Sequence, residues 1–188
     1  MKISINRGSC NSYVIGSLII DAPVGVKFPS GIERIALTHE HCDHIAGIGE
    51  LNAEVCASKF TIESITKNNE NACLCNFLDM EYPKITKHRV LKEGDMLEES
   101  GITLTVIETP GHCAGALCFY SEDQRTLFSG DTVFPDFALP RTDLPTSDYE
   151  KLKKSYKKLA KLDVETIYPG HGEMVKNKEY VKKILEQL

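Results

Sequence analysis

"IERIALTHEHCDHIAGIGEL", residues 32–51, drives an apolar run into three histidines and one aspartate within six positions. Ile35, Ala36 and Leu37 read as a short buried strand. Ile45, Ile48 and Leu51 then recur at helical spacing, with Asp43 standing where an N-cap would. Between strand and helix lie His39, His41, Asp43 and His44, which hold half of the chain's six histidines. Buried imidazoles without partners are costly and repel one another when protonated. The rest of the chain has to supply the reason for this cluster.

Toward the N-terminus, "KISIN", a turn at Arg7-Gly8-Ser9 and "SYVIGSLIID" read as paired strands rich in β-branched residues. Beyond the cluster, "AEVCAS" reads as a strand and "SKFTIESITKNN" as a helix capped by Ser58. Residues 68–87 carry no clear period and are expected to include a loop near the site. From His88 the pattern returns to strands in "HRVLKEGDMLEE", "ITLTVIETPGH", "ALCFYS" and "RTLFSGDTVF", separated by Gly, Asp and Ser turns. "DYEKLKKSYKKLAKL" predicts a helix with Leu152, Tyr156, Leu159 and Leu162 on one face and a solvated lysine face opposite. A strand in "ETIYPGHG" and a helix in "NKEYVKKILEQL" follow. Strands arrive in runs broken by helices, which predicts an α/β fold of two packed mixed β-sheets with helices on the outer faces.

Composition narrows the function classes. At 188 residues the chain suits one domain, residues 1–188, with a sizeable core. A net charge of -5 argues against a partner gripped through nucleic-acid phosphates. No apolar run approaches the length of a membrane span, and "MKISINRGSC" lacks signal-peptide character, so a cytoplasmic protein with no membrane partner is expected. Seven cysteines in that setting predict reduced thiols, mostly small packed residues.

The remaining histidines explain the cluster. His112 in "ETPGHCAG" and His171 in "YPGHGE" each follow a strand and a Pro-Gly turn; Asp131 in "LFSGDTVF" follows a strand directly. His88 in "TKHRV" lacks such a setting and reads as a packing or surface residue. Strand ends on one sheet edge can converge. Imidazoles and carboxylates without thiolates suit Zn²⁺, with Fe²⁺ or Mn²⁺ also possible. His39 and His41, two apart on an extended segment, can grip one ion, completed by His112. Asp43 and His44 reach a second, completed by His171, and Asp131 can bridge both.

"THEHCDH", "TPGHCAG", "SGDTVF" and "YPGHG" resemble the successive motifs of the metallo-β-lactamase superfamily, in order and over nearly the whole chain. "CNSYVIG" followed by "IIDAP" is similar to that family's opening, with Pro23 where a glycine is usual. The resemblance implies a four-layer αβ/βα sandwich with two divalent metal ions at one edge, held by the residues just named. "GDTVF", "RTDLPTSDYEKLKKSYKKL" and "YPGHG" are further similar to the glyoxalase II (hydroxyacylglutathione hydrolase) branch. This chain ends soon after His171, without that branch's C-terminal helical domain, so thioester hydrolysis is the expected reaction while glutathione as carrier is not implied.

On this reading a hydroxide held between the two ions attacks a carbonyl of a small-molecule substrate, with Asp43 orienting it. Arg141, in the loop 133–147, is the candidate for a substrate carboxylate because its fork matches that shape. The irregular segments 68–86 and 133–147, rather than the terminal helix, are expected to set substrate choice. Three rivals stand beside it: a persulfide dioxygenase with one iron on two histidines and an aspartate, a phosphodiesterase of the same fold, and a degenerate binding module.

Overall fold

The computed structural model describes residues 3–188; Lys2, in the first predicted strand, lies outside them. Two six-stranded sheets face each other. In the first, β1 (Ser4–Arg7), β2 (Asn11–Ile15), β3 (Leu18–Ile20), β4 (Arg34–Ala36), β5 (Glu54–Ser58) and β6 (His88–Leu91) lie in that order. β1 to β3 run antiparallel, and β3 to β6 are parallel. The second sheet runs in spatial order β12 (Val175–Lys176), β11 (Thr166–Pro169), β10 (Thr126–Gly130), β9 (Leu117–Ser121), β8 (Ile102–Glu108) and β7 (Met96–Glu99). Only β10 and β11 pair in parallel there. Both sheets are therefore mixed.

Each parallel step needs a crossover, and the crossovers supply the outer layers. On the first sheet these are α1 (Cys42–Ile45), with the 3₁₀ turn Ala46–Glu50 after it, then α2 (Lys59–Thr66) and α3 (Glu70–Cys73). On the second it is α4 (Tyr149–Leu159), between β10 and β11, and α5 (Tyr180–Leu185), which follows β12, packs beside it. Three apolar layers result. Ile15, Leu18, Leu104, Phe119 and Phe128 meet between the sheets. Ile19, Ile35, Ile45 and Ile62 pack under α1 and α2. Leu127, Ile167, Leu152, Tyr156 and Ile184 pack under α4 and α5. Each fully buried aliphatic or aromatic side chain contributes about 1.5–3 kcal/mol. The four-layer α/β/β/α sandwich predicted from the sequence is the observed architecture, and no described helix is long and apolar enough to cross a membrane.

Three local expectations change. "SYVIGSLIID" is a hairpin rather than one strand: Gly16 takes a positive φ of 55° and turns the chain between β2 and β3. Asp43 is not the N-cap of α1. His41 holds that position, without a side-chain cap bond, and Asp43 sits in the first turn with its carboxylate free for other work. The expectation of uniformly reduced thiols fails at one pair. Cys42 and Cys75, 33 positions apart in sequence, form a disulfide with Cα atoms 5.0 Å apart. The other five cysteines are free and buried. The bridge ties residues 74–82 to α1, and Glu70 organises the same stretch by accepting hydrogen bonds from the Asn76 and Phe77 amides and the Tyr82 hydroxyl. Ser58 caps α2 as predicted, accepting from the Thr61 amide.

Candidate metal centre

β3, β4, β8, β10 and β11 share one direction, so the loops at their carboxyl ends meet at one edge of the sandwich, where α/β sheets place their ligands. All seven predicted donors arrive there. The ring nitrogens of His39, His41 and His112 lie within 4.8 Å of one another, as do donor atoms of Asp43, His44 and His171. Asp131 stands between the groups, Oδ1 3.3 Å from His44 Nε2 and Oδ2 3.7 Å from His112 Nε2 and 3.6 Å from His171 Nε2. His88 is exposed on β6, away from the cluster.

Two glycines make this convergence possible. A Cβ on Gly130 would come 2.5 Å from the Thr38 side chain, and its φ of +48° disfavours any other residue. A Cβ on Gly170 would fall inside van der Waals contact of Asp131 Oδ1 and His44 Cε1. The predicted turns thus act through missing side chains.

Hydrogen bonds behind the donors decide which nitrogens face inward. Arg141 O accepts from His112 Nδ1 at 3.0 Å, and Asp21 Oδ2 accepts from His44 Nδ1 at 2.8 Å. Thr38 Oγ1 donates to Asp21 Oδ2 at 2.8 Å, so it accepts from His39 Nδ1 at 3.0 Å. One proton therefore sits on the outer nitrogen of each of these rings, which leaves Nε2 as the atom aimed inward for a metal. His39 Nε2 and His112 Nε2 stand 3.1 and 3.0 Å from His41 Nδ1. Three ring nitrogens so placed can each turn a lone pair on one cation, and the spacing approaches the edge of roughly 3.3 Å that tetrahedral zinc–imidazole bonds require. Asp131 Oδ1 is buried with no hydrogen-bond donor. Both observations fit bound metal.

Electrostatics divides the cluster. Burial, then the neighbouring histidines, pushes His39 well below its ordinary pKa. Burial and then His112 push His41 down to about 3. At His44 burial opposes the charge, but Cys10, Asp131, Asp43 and Asp21 outweigh it and the pKa rises. The hydrogen bond with Asp43, at 3.0 Å, raises His171. Asp131 and Asp43 resist burial because His44 and the other imidazoles hold them ionised.

Arg141 reaches the centre through its backbone carbonyl. Its exposed guanidinium pairs bidentately with Asp143 at 2.9 and 2.8 Å. Sequence reasoning assigned no role to Asp21, although "LIID" ends a strand in an acid just as the Asp131 strand does. It also passed over Glu40, buried between two ligands, which accepts from Thr61 Oγ1 and the Gly115 amide and so ties α2 to the His112 loop.

The family model of the metallo-beta-lactamase superfamily matches residues 5–171. A hydroxyacylglutathione hydrolase of Francisella tularensis subsp. novicida is 31% identical over 82% of this chain and 55% of its own length. An atrochrysone carboxyl ACP thioesterase of Aspergillus fumigatus is 25% identical over 89% of this chain and 52% of its own. The chain thus spans about half the length of the curated relatives it matches. Among solved structures, TTHA1623 in a di-iron-bound form superposes with a TM-score of 0.74 and 24% identity, covering 100% of this chain and 97% of that one, a likeness of fold.

Proposed function

The chain belongs to the metallo-beta-lactamase superfamily, and from that premise we propose that it is a hydrolase with two divalent metal ions that cleaves a thioester or related ester of a small molecule. One observation carries the reading: two adjoining triads of donors share a buried carboxylate, Asp131, whose Oδ1 has no hydrogen-bond donor. His39, His41 and His112 would hold one ion, Asp43, His44 and His171 the other, with Asp131 between. The absence of thiolate from this set suits zinc, and iron or manganese also fit. Divalent ions supply Lewis acidity, polarising a carbonyl and lowering the pKa of water to about 7.

The protein residues do the rest. Asp21 and the Arg141 carbonyl hold His44 and His112 in the tautomer whose Nε2 faces inward. Asp43 Oδ2, 3.0 Å from His171 Nε2, is set to accept a hydrogen bond from the attacking water and orient it. The Arg141 guanidinium serves a substrate carboxylate only where that carboxylate displaces Asp143. The hydroxyacylglutathione hydrolase and ACP thioesterase relatives support the thioester class. A one-iron dioxygenase would leave Asp43 and His171 without a ligand role, whereas the two-metal hydrolase uses both.

The test pairs elemental analysis with a screen of thioesters, phosphodiesters and a persulfide. The expected result is about two ions per chain and thiol release abolished by chelation. Oxygen uptake with the persulfide and a stoichiometry fixed at one would sink the proposal.

A further inference from the structure

The loop after Asp131 borders the centre at both of its ends. It leaves the bridge position at Asp131, passes Phe134, whose ring lies 6.3 Å from that of His171, and reaches Arg141, whose carbonyl holds His112. Between these ends Tyr180, the buried first residue of α5, ties the loop to that helix through hydrogen bonds. The Tyr180 hydroxyl donates to Phe134 O at 3.0 Å and accepts from the Phe137 amide at 2.7 Å, and its ring stacks on Phe137 at 4.5 Å. Asp136 and Phe137 both take φ of 56°, a left-handed conformation that bulky residues rarely adopt. A consecutive pair persists only where surroundings over-determine it, and Tyr180 supplies that constraint.

The loop so held leaves Phe137 and Leu139 exposed at 38% and 45%, on the same loop as Phe134, whose ring lies against His171. Its charged residues are Asp136, Arg141 and Asp143, and the one cation is neutralised by Asp143. The rim is apolar and, on this loop, has no free positive charge for an anionic carrier. We infer that Tyr180 is a specificity-determining positioning residue, holding Phe134, Phe137 and Leu139 as an apolar rim that takes the acyl chain of the substrate. This rests on the hydrolase reading for the identity of the chain's owner. It also qualifies the expectation that the terminal helix plays no part in substrate choice: the helix acts through the loop.

The test avoids turnover. Metal-loaded protein is titrated by calorimetry with acetate, butyrate, hexanoate and octanoate. Affinity should rise about twofold per methylene, since a half-exposed rim delivers about half the free energy of full burial. Tyr180→Phe should flatten that rise while leaving acetate affinity and metal content within about twofold, and the Phe137 amide should exchange hydrogen at least about tenfold faster. Phe137→Gly, which relieves the backbone and removes the ring, should flatten the rise without relying on Tyr180. Affinity indifferent to chain length in the wild type, or an unchanged rise in Phe137→Gly, overturns the rim, and an unchanged rise in Tyr180→Phe overturns the role of Tyr180. A protein that binds octanoate in this way yet cleaves no thioester keeps the rim and discards the hydrolase.

Discussion

The two donor triads use similar residues and differ in almost everything else. His39, His41 and His112 are all buried, two of them with pKa values driven down, and the Asp131 carboxylate borders them with Oδ2 3.7 Å from His112 Nε2. Asp43, His44 and His171 mix two carboxylate-paired imidazoles with an acid, and the His171 side chain is 40% exposed. The first triad is a buried set of three imidazoles with no acid among its own members. The second is charged, reachable by solvent and opens toward the rim. An ion in the first is expected to be retained and one in the second to exchange, with Asp131 linking the two.

The strongest way to break this contrast is at the ligands. His171→Ala should leave about one ion per chain, held by the first triad, whereas Asp131→Ala should take occupancy below that by weakening both; elemental analysis after dialysis reads the difference. Equal losses in the two variants would mean the triads are not separable. Asp21→Asn is subtler. Asp21 accepts directly from His44 Nδ1 but reaches His39 only through Thr38, so affinity should fall about 10–100-fold at the second site and less at the first. Competition with a chromophoric chelator would show two distinct steps.

The smallest effect is in pH. His44 and His171 have raised pKa values, so protons compete with metal there at higher pH than at an ordinary histidine, whereas His39 and His41, lowered by burial, stay unprotonated below the ordinary range. On acidification from pH 8 the second site should empty first, and spectra of a cobalt-substituted protein would follow it. The converse order would reverse the assignment of the retained site.

The donors were legible because their signal is local. A histidine or aspartate set directly after a short apolar run, often across a Pro-Gly turn, announces both its chemistry and its place at a strand end, and His39, His41, Asp43, His44, His112, Asp131 and His171 all meet at that edge. The alternation of strand runs with amphipathic helices likewise carried the layered fold, since period and turn residues are properties of neighbours in sequence. What supports the donors was not legible. The Cys42–Cys75 bridge, the Asp21 clasp on His44, the Arg141 carbonyl on His112 and the Tyr180 post join residues 33, 23, 29 and 43 apart. An acid at a strand end, a backbone oxygen and a tyrosine on a helix look the same in sequence whether or not they meet a partner. Side-chain identity determined which atoms can bind metal; only packing decided which of their nitrogens face inward and which loop borders them.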